Sequence, residues 1–196
     1  MERHTMLCGT RRKRALPRPF WCMGASGGVG IAALQIARAM GLHVIGTAGT
    51  QKGVELVKRE GAHRAFNHRN AGYQDEILEG TANRGADIIL EMLANVNLSS
   101  DTKLLAKNGR VIVIGSRGEV TINPRELMSR RASIRGFTLW AITPGEEAEI
   151  HAALFAGLEN GTLCPIVGKE LPLADAARAH KEILEPGSAG KMVLVC

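Results

Sequence analysis

The chain has 196 residues, of which 45% are hydrophobic and 22% charged, and its formal net charge is +6. This composition suits a soluble globular protein of one full domain and part of another, and no apolar run approaches the ~18 residues that a membrane span needs. Four scattered cysteines, Cys8, Cys22, Cys164 and Cys196, lack metal-type spacing and fit free thiols in a reduced, cytoplasmic compartment.

The positive charge sits almost entirely at the start. Within residues 1–20, Arg3, Arg11, Arg12, Lys13, Arg14 and Arg18 stand against Glu2 alone, a net of +5, which leaves about +1 for the rest. Residues 1–19 show no helical or strand period, contain Pro17 and Pro19, and read as a solvated, disordered basic leader. The run Arg11, Arg12, Lys13, Arg14 also has the form of a nuclear address or a phosphate-binding patch. The segment is Arg-rich and acid-poor like a transit peptide, without the amphipathic, serine-rich character.

The short apolar run Phe20-Trp21-Cys22-Met23 leads into Gly24-Ala25-Ser26-Gly27-Gly28-Val29-Gly30, and an apolar-periodic segment follows to Met40. Strand, glycine turn and helix in that order are the context a dinucleotide fingerprint requires. Read as G-x-G-x-x-G, the positions fall on Ala25, Gly27 and Gly30, with alanine in the first place. Gly27 lets the backbone approach a pyrophosphate, Gly30 lets the helix pack on the strand, and the positive helix end faces the phosphates. The period of about 3.6 residues puts Val29, Ala33, Ile36, Ala37 and Met40 on one helix face.

A second apolar strand, residues 42–46, ends in the loop Thr47-Ala48-Gly49-Thr50-Gln51-Lys52. NAD-preferring sites carry an acid about 20 residues past the glycines. Here none occurs from Gly41 to Lys52, and Lys52 is a nearby cation, so the loop favours NADPH. Helix then strand continue to alternate: helices near 51–60, 73–78 and 98–105, strands near 65–67, 86–91 and 110–115, with Asn108-Gly109 stopping the third of these helices. A Pro-started helix at 124–130 and a strand from Ser133 to Trp140 follow. The alternation predicts a doubly wound parallel sheet, with ligands at the carboxyl ends of its strands. Beyond it come an amphipathic helix over 143–161, with Ile150, Ala153, Leu154 and Leu158 on one side, a strand near Ile166-Val167 and a helix over 173–184. A Pro186-Gly187-Ser188 turn precedes a last strand over 191–195. Residues 162–196 are too few for a core of their own.

Together, Gly24-Ala25-Ser26-Gly27-Gly28-Val29-Gly30, Gly46-Thr47-Ala48-Gly49-Thr50, Phe66-Asn67-His68-Arg69, residues 91–97 (Glu-Met-Leu-Ala-Asn-Val-Asn) and residues 113–118 (Val-Ile-Gly-Ser-Arg-Gly) resemble the zeta-crystallin family. These are NADPH:quinone oxidoreductases of the zinc-free medium-chain dehydrogenase/reductase group. The resemblance runs from about Gly24 to Val195. It implies an α/β fold, a Rossmann-type domain over 20–161, and a C-terminal remnant of a GroES-like substrate domain over 162–196. Because the family's first half has no counterpart, it also implies an N-terminally truncated or alternatively spliced form with weakened catalysis and retained cofactor binding.

By the same resemblance the cofactor contacts are Ser26, Gly27, Gly28 and Val29 at the pyrophosphate, to which the fingerprint adds Ala25 and Gly30, and Gly49 and His68 on the adenosine side, to which the loop adds Lys52. Asn97, Ile114, Gly115, Ser116 and Arg117 follow along later strand ends, and Phe137, Thr138 and Leu139 lie towards the nicotinamide. No metal is expected, and no catalytic residue is assigned. A quinone is the implied acceptor, and the strand from Ser133 to Trp140 the implied homo-oligomer contact. Alternative readings are a non-catalytic binder of AU-rich RNA, using residues 11–14, and a lens-type structural protein. Against the RNA reading stand the nearly neutral remainder and an aromatic content of only 4%, which leaves few stacking platforms.

Overall fold

Pro19, Phe20, Trp21 and Cys22 are all buried, and this two-sided burial puts their strand at the centre of a sheet. The computed structural model describes residues 18–185, 187 and 189–196. Cys8, the basic run at 11–14 and two residues of the turn at 186–188 lie outside the described residues. Six strands, β1 (Pro19–Cys22), β2 (His43–Ala48), β3 (Arg64–Asn67), β4 (Ala86–Glu91), β5 (Leu105–Val113) and β6 (Ser133–Gly136), pair in the order β3-β2-β1-β4-β5-β6. Every pairing is parallel. The order reverses between β1 and β4, which opens a crevice there at the carboxyl ends.

Alternate residues of β1 feed two cores. Phe20 and Cys22 pack with Leu34 and Ala37 of α1 (Gly28–Ala39) and with Val54 and Val57 of α2 (Gln51–Arg59). Trp21 and Met23 pack on the other face with Ile77 of α3 (Tyr73–Gly80) and with Leu98 and Leu104 of α4 (Ala94–Leu104). Leu127 of α5 (Pro124–Arg130) lies against that second core. Helices therefore cover both faces, as a doubly wound sheet requires.

Five local expectations change. The buried residues of α1 are Gly30, Ile31, Leu34 and Ala37, whereas Val29 is 54% and Met40 70% exposed. Of the predicted stripe only Ala37 is buried against the sheet. Ala33 packs half-buried against the same core, and with Val29 and Ile36 it also lines a cavity of about 530 Å³, shared with Leu154 and Leu158 of α6 (Pro144–Glu159). Both helix faces are apolar, so periodicity alone could not choose between them.

α4 starts at Ala94, because the Glu91 carboxylate takes the Leu93 N–H and Ala94 N donates to Gly115 O at 2.9 Å. Asn108-Gly109 does not end a helix. It sits inside β5, where Asn108 has φ +61° and the β4–β5 register shifts. β6 stops at Gly136, since β5 ends at Val113 and its carbonyl accepts the last link, from Phe137 N at 3.0 Å. Leu139–Ala141 is then a 3₁₀ turn.

In the tail, β7 (Val167–Pro172) and β8 (Lys191–Val195) form a separate two-stranded parallel sheet. The helix expected over 173–184 divides into a 3₁₀ turn, Leu173–Asp175, and α7 (Ala176–Glu182). Gly190 N donates to Ser26 O at 2.8 Å and ties this tail to the glycine turn.

Candidate functional site

The glycine turn is shaped by β1's neighbours. Met23 N donates to Leu90 O at 3.1 Å, Ala25 N to Thr47 O at 2.7 Å, and Gly24 turns the chain with φ +59°. A Cβ on Gly30 would stand 2.5 Å from Ala25 Cα, so only glycine lets α1 approach the turn this closely. Ala25 has no exposed surface, and its side chain serves that packing. Gly27 caps α1 with no side-chain hydrogen bond, and the first turn holds no acid. N–H groups left open at a helix start favour an anion. Ser26 is buried, while Gly28 lies under the Lys191 side chain.

At the end of β2, the Thr50 side chain caps α2 by accepting from Gly53 N at 3.0 Å, and Lys52 is exposed in the first turn. The loop after β3 folds His68 and Arg69 over Gly49. A Cβ on Gly49 would lie 3.0 Å from His68 Nε2 and 3.3 Å from Arg69 Nε. Burial, and then the Arg69 charge, hold His68 below the usual histidine value. Lys52, Gly28 and Lys191 line a cavity of about 580 Å³ with Glu182 and Glu185 of the tail.

At the end of β4, Asn97 Nδ2 donates to Glu91 Oε1 at 3.1 Å. The turn after β4 presses on the loop after β5: Arg117 N donates to Asn95 Oδ1 at 3.0 Å, and a Cβ on Gly115 would meet Met92 O at 2.5 Å. Ile114, Gly115 and Ser116 line a cavity of about 490 Å³ with Phe137, Thr138 and Glu146. Leu139 is 66% exposed and does not line it. The Arg117 side chain is exposed.

The predicted residues thus fall in sheet order along one edge: His68 after β3, Gly49 after β2, Ser26 after β1, Asn97 after β4, Gly115 after β5 and Phe137 after β6. Sequence reading missed Arg69, Lys191 and Glu91 at this edge, and Asp101 of α4 beside Glu91. Arg69 could have been found from its place beside His68, but Lys191 is brought in only by the tail's return. Glu91 and Asp101 have no exposed surface. Burial, and then its contact with Glu91, push the Asp101 carboxyl up to about 9.

Residues 28–155 match the family described as zinc-binding dehydrogenase. The chain belongs to that family. Among the described residues no group of three His, Cys, Asp or Glu side chains is placed to hold a metal ion. The quinone oxidoreductases of Sus scrofa and Homo sapiens are each 53% identical over 173 residues, covering 88% of this chain and 53% of theirs. The chain therefore spans about half the length of the curated relatives it matches. Among solved structures, an NAD-dependent alcohol dehydrogenase is 30% identical with a TM-score of 0.82, over 92% of this chain and 52% of that one. A mycobacterial protein solved with NADPH, 24% identical with a TM-score of 0.82 over 92% of this chain and 58% of its own, shares the fold. No helix among the described residues is long and apolar enough to cross a membrane.

Proposed function

We propose that this chain binds a nicotinamide dinucleotide along the carboxyl edge of its sheet, NADPH in preference to NADH, and uses it to reduce a quinone-type acceptor. The observation that carries the reading is the start of α1. No side chain caps its N–H groups, no acid stands in its first turn, and Gly30 packs where no larger residue fits. A pyrophosphate suits that cradle, held by the backbone from Ser26 to Gly30. Lys191, which lies over Gly28, adds a cation from the tail.

The edge of β2 supports the choice of phosphate. No acid stands beside Gly49, while Arg69 and His68 approach it and Lys52 starts the next helix. A ribose 2′-phosphate would find cations there, where a hydroxyl recognised by a carboxylate would not. When bound, the dinucleotide supplies hydride. The chain's own part is to orient it and to border the acceptor's space. The cavity at Gly115, Ser116, Phe137 and Thr138 is that border at the far end of the edge. The likeness to quinone oxidoreductases supports a quinone as acceptor.

The reading based on AU-rich RNA rests on residues 11–14, outside the described residues, and gains no support elsewhere. Fluorescence titration of the purified chain with NADPH and NADH, followed by quinone-dependent NADPH oxidation, tests the proposal. Tighter binding of NADPH with measurable oxidation is expected. Equal affinities would remove the cofactor preference, and no binding of either nucleotide would remove the function.

A further inference from the structure

The turn that carries Asn97 is held from beneath by a carboxylate with no exposed surface. Glu91 Oε1 accepts both the Leu93 N–H and Asn97 Nδ2, and the Glu91 carbonyl accepts Ile114 N at 2.9 Å. One side chain thus fastens the turn after β4, while its backbone fastens the loop after β5. The other carboxylate oxygen, Oε2, has no donor, and neither has either carboxyl oxygen of Asp101 on α4. After burial, Glu91 is the group that acts most on the Asp101 carboxyl, which sets the two side chains beside each other.

Two ionised carboxylates side by side would set acceptors against acceptors in a buried place, at a large cost. The other buried side-chain atom without a partner among the described residues is a donor, Trp21 Nε1, and it bonds to neither carboxyl. The other titratable groups that feel the pair are Cys22 on β1, Tyr73 on α3 and His68 after β3. Burial pushes the first two up and the third down, so all three favour their neutral forms and none supplies a compensating cation. A single proton between the carboxyls turns the repulsion into a donor–acceptor bond. Glu91 Oε1 already accepts two N–H donors, whereas Asp101 receives none.

We infer that Asp101 carries that proton, donates to Glu91 Oε2, and through Glu91 positions the turn holding Asn97 at the cleft. Asp101 is a positioning residue, and its bearing on nucleotide affinity rests on the cofactor reading above. Removing the proton would place two negative charges in contact and loosen Glu91 from the turn.

Infrared spectroscopy of the full chain at neutral pH tests the proton directly. A protonated-carboxyl stretch is expected in the parent and not in Asp101→Asn. The parent's thermal midpoint should fall as pH rises above neutral, and that fall should shrink in Asp101→Asn. NADPH affinity should weaken about tenfold over the same rise in the parent and hold in Asp101→Asn, whose amide keeps a donor. Asp101→Ala, with no donor, should bind about tenfold more weakly at neutral pH. Absence of the band from the parent, or identical pH profiles for parent and Asp101→Asn, would overturn the inference. Should no variant and no parent bind a nicotinamide nucleotide, the cofactor reading fails, while the band and the stability profile still decide the carboxyl pair.

Discussion

A Cβ placed on Gly30 would stand 2.5 Å from the Cα of Ala25, against main chain that cannot rotate away. Gly30→Ala should therefore destabilise the chain by about 1–3 kcal/mol, the usual cost of overpacking. Gly28→Ala meets only the flexible Lys191 side chain and should shift the thermal midpoint far less. Thermal melts of the two variants side by side check this, and equal losses would contradict the packing geometry.

Arg69 and Lys52 should separate in cofactor choice. Arg69 Nε lies 3.3 Å from the Gly49 Cβ position, whereas Lys52 is exposed on α2. Arg69→Ala should narrow the NADPH-over-NADH preference by roughly 10- to 150-fold, the worth of a charge-assisted contact of about 1.5–3 kcal/mol. Lys52→Ala should narrow it less. Fluorescence titrations with both nucleotides give the ratios, and an unchanged ratio in Arg69→Ala would move the 2′-phosphate elsewhere.

Thiol chemistry should divide the cysteines by depth. Burial, and then the Glu91 charge, push Cys22 up to about 12, so it stays a thiol at ordinary pH. Cys164 and Cys196 are exposed. Alkylation of the native chain at pH 8, read by peptide mass spectrometry, should modify Cys164 and Cys196 and spare Cys22 until the chain is unfolded. Early modification of Cys22 would mean that the β1 core opens.

Acidification should destabilise the fold through its histidines. Burial first, and then nearby arginines, lower His43, His63 and His68 below the usual value of 6.5. The unfolded chain therefore binds these protons more readily. Their favourable contribution is complete above pH 6.5 and is lost as pH falls through the lowered folded values. In the Asp101→Asn background, which removes the opposite effect of the Asp101 proton, melts recorded from pH 7.5 downward should show the midpoint falling. Replacing His68 with Gln should reduce the slope, and an unchanged slope would show that His68 titrates normally.

Exposed apolar side chains should promote self-association. Trp140 is 96% exposed beyond the open edge of β6, and Phe155 on α6 is 64% exposed. Light scattering should detect oligomers that weaken in Trp140→Lys and in Phe155→Lys. A monodisperse monomer in the parent would rule out these contacts.

Much of the fold was legible locally. Strands with apolar runs, the Pro-started helix at 124–130 and the amphipathic helix over 143–161 lie close to where the sequence pattern put them, and the structure adds an Asn123 cap and a Thr143/Glu146 capping box at their starts. The glycine turn was legible too, because its spacing, the strand before it and the helix after it are all contiguous.

What tertiary structure decided was every choice between two locally equal options. α1 is apolar on two faces, and packing against β1 and β2 turned Leu34 inward while leaving Val29 open. Asn108-Gly109 can stop a helix or kink a strand, and pairing with β4 made it the latter. Arg69 over Gly49, Lys191 over Gly28 and Asp101 against Glu91 join elements distant in sequence, so no spacing rule could have announced them. Local patterns fix which elements form, because turn chemistry and periodicity act over a few residues. Only the packed sheet decides which side chains meet at its edge.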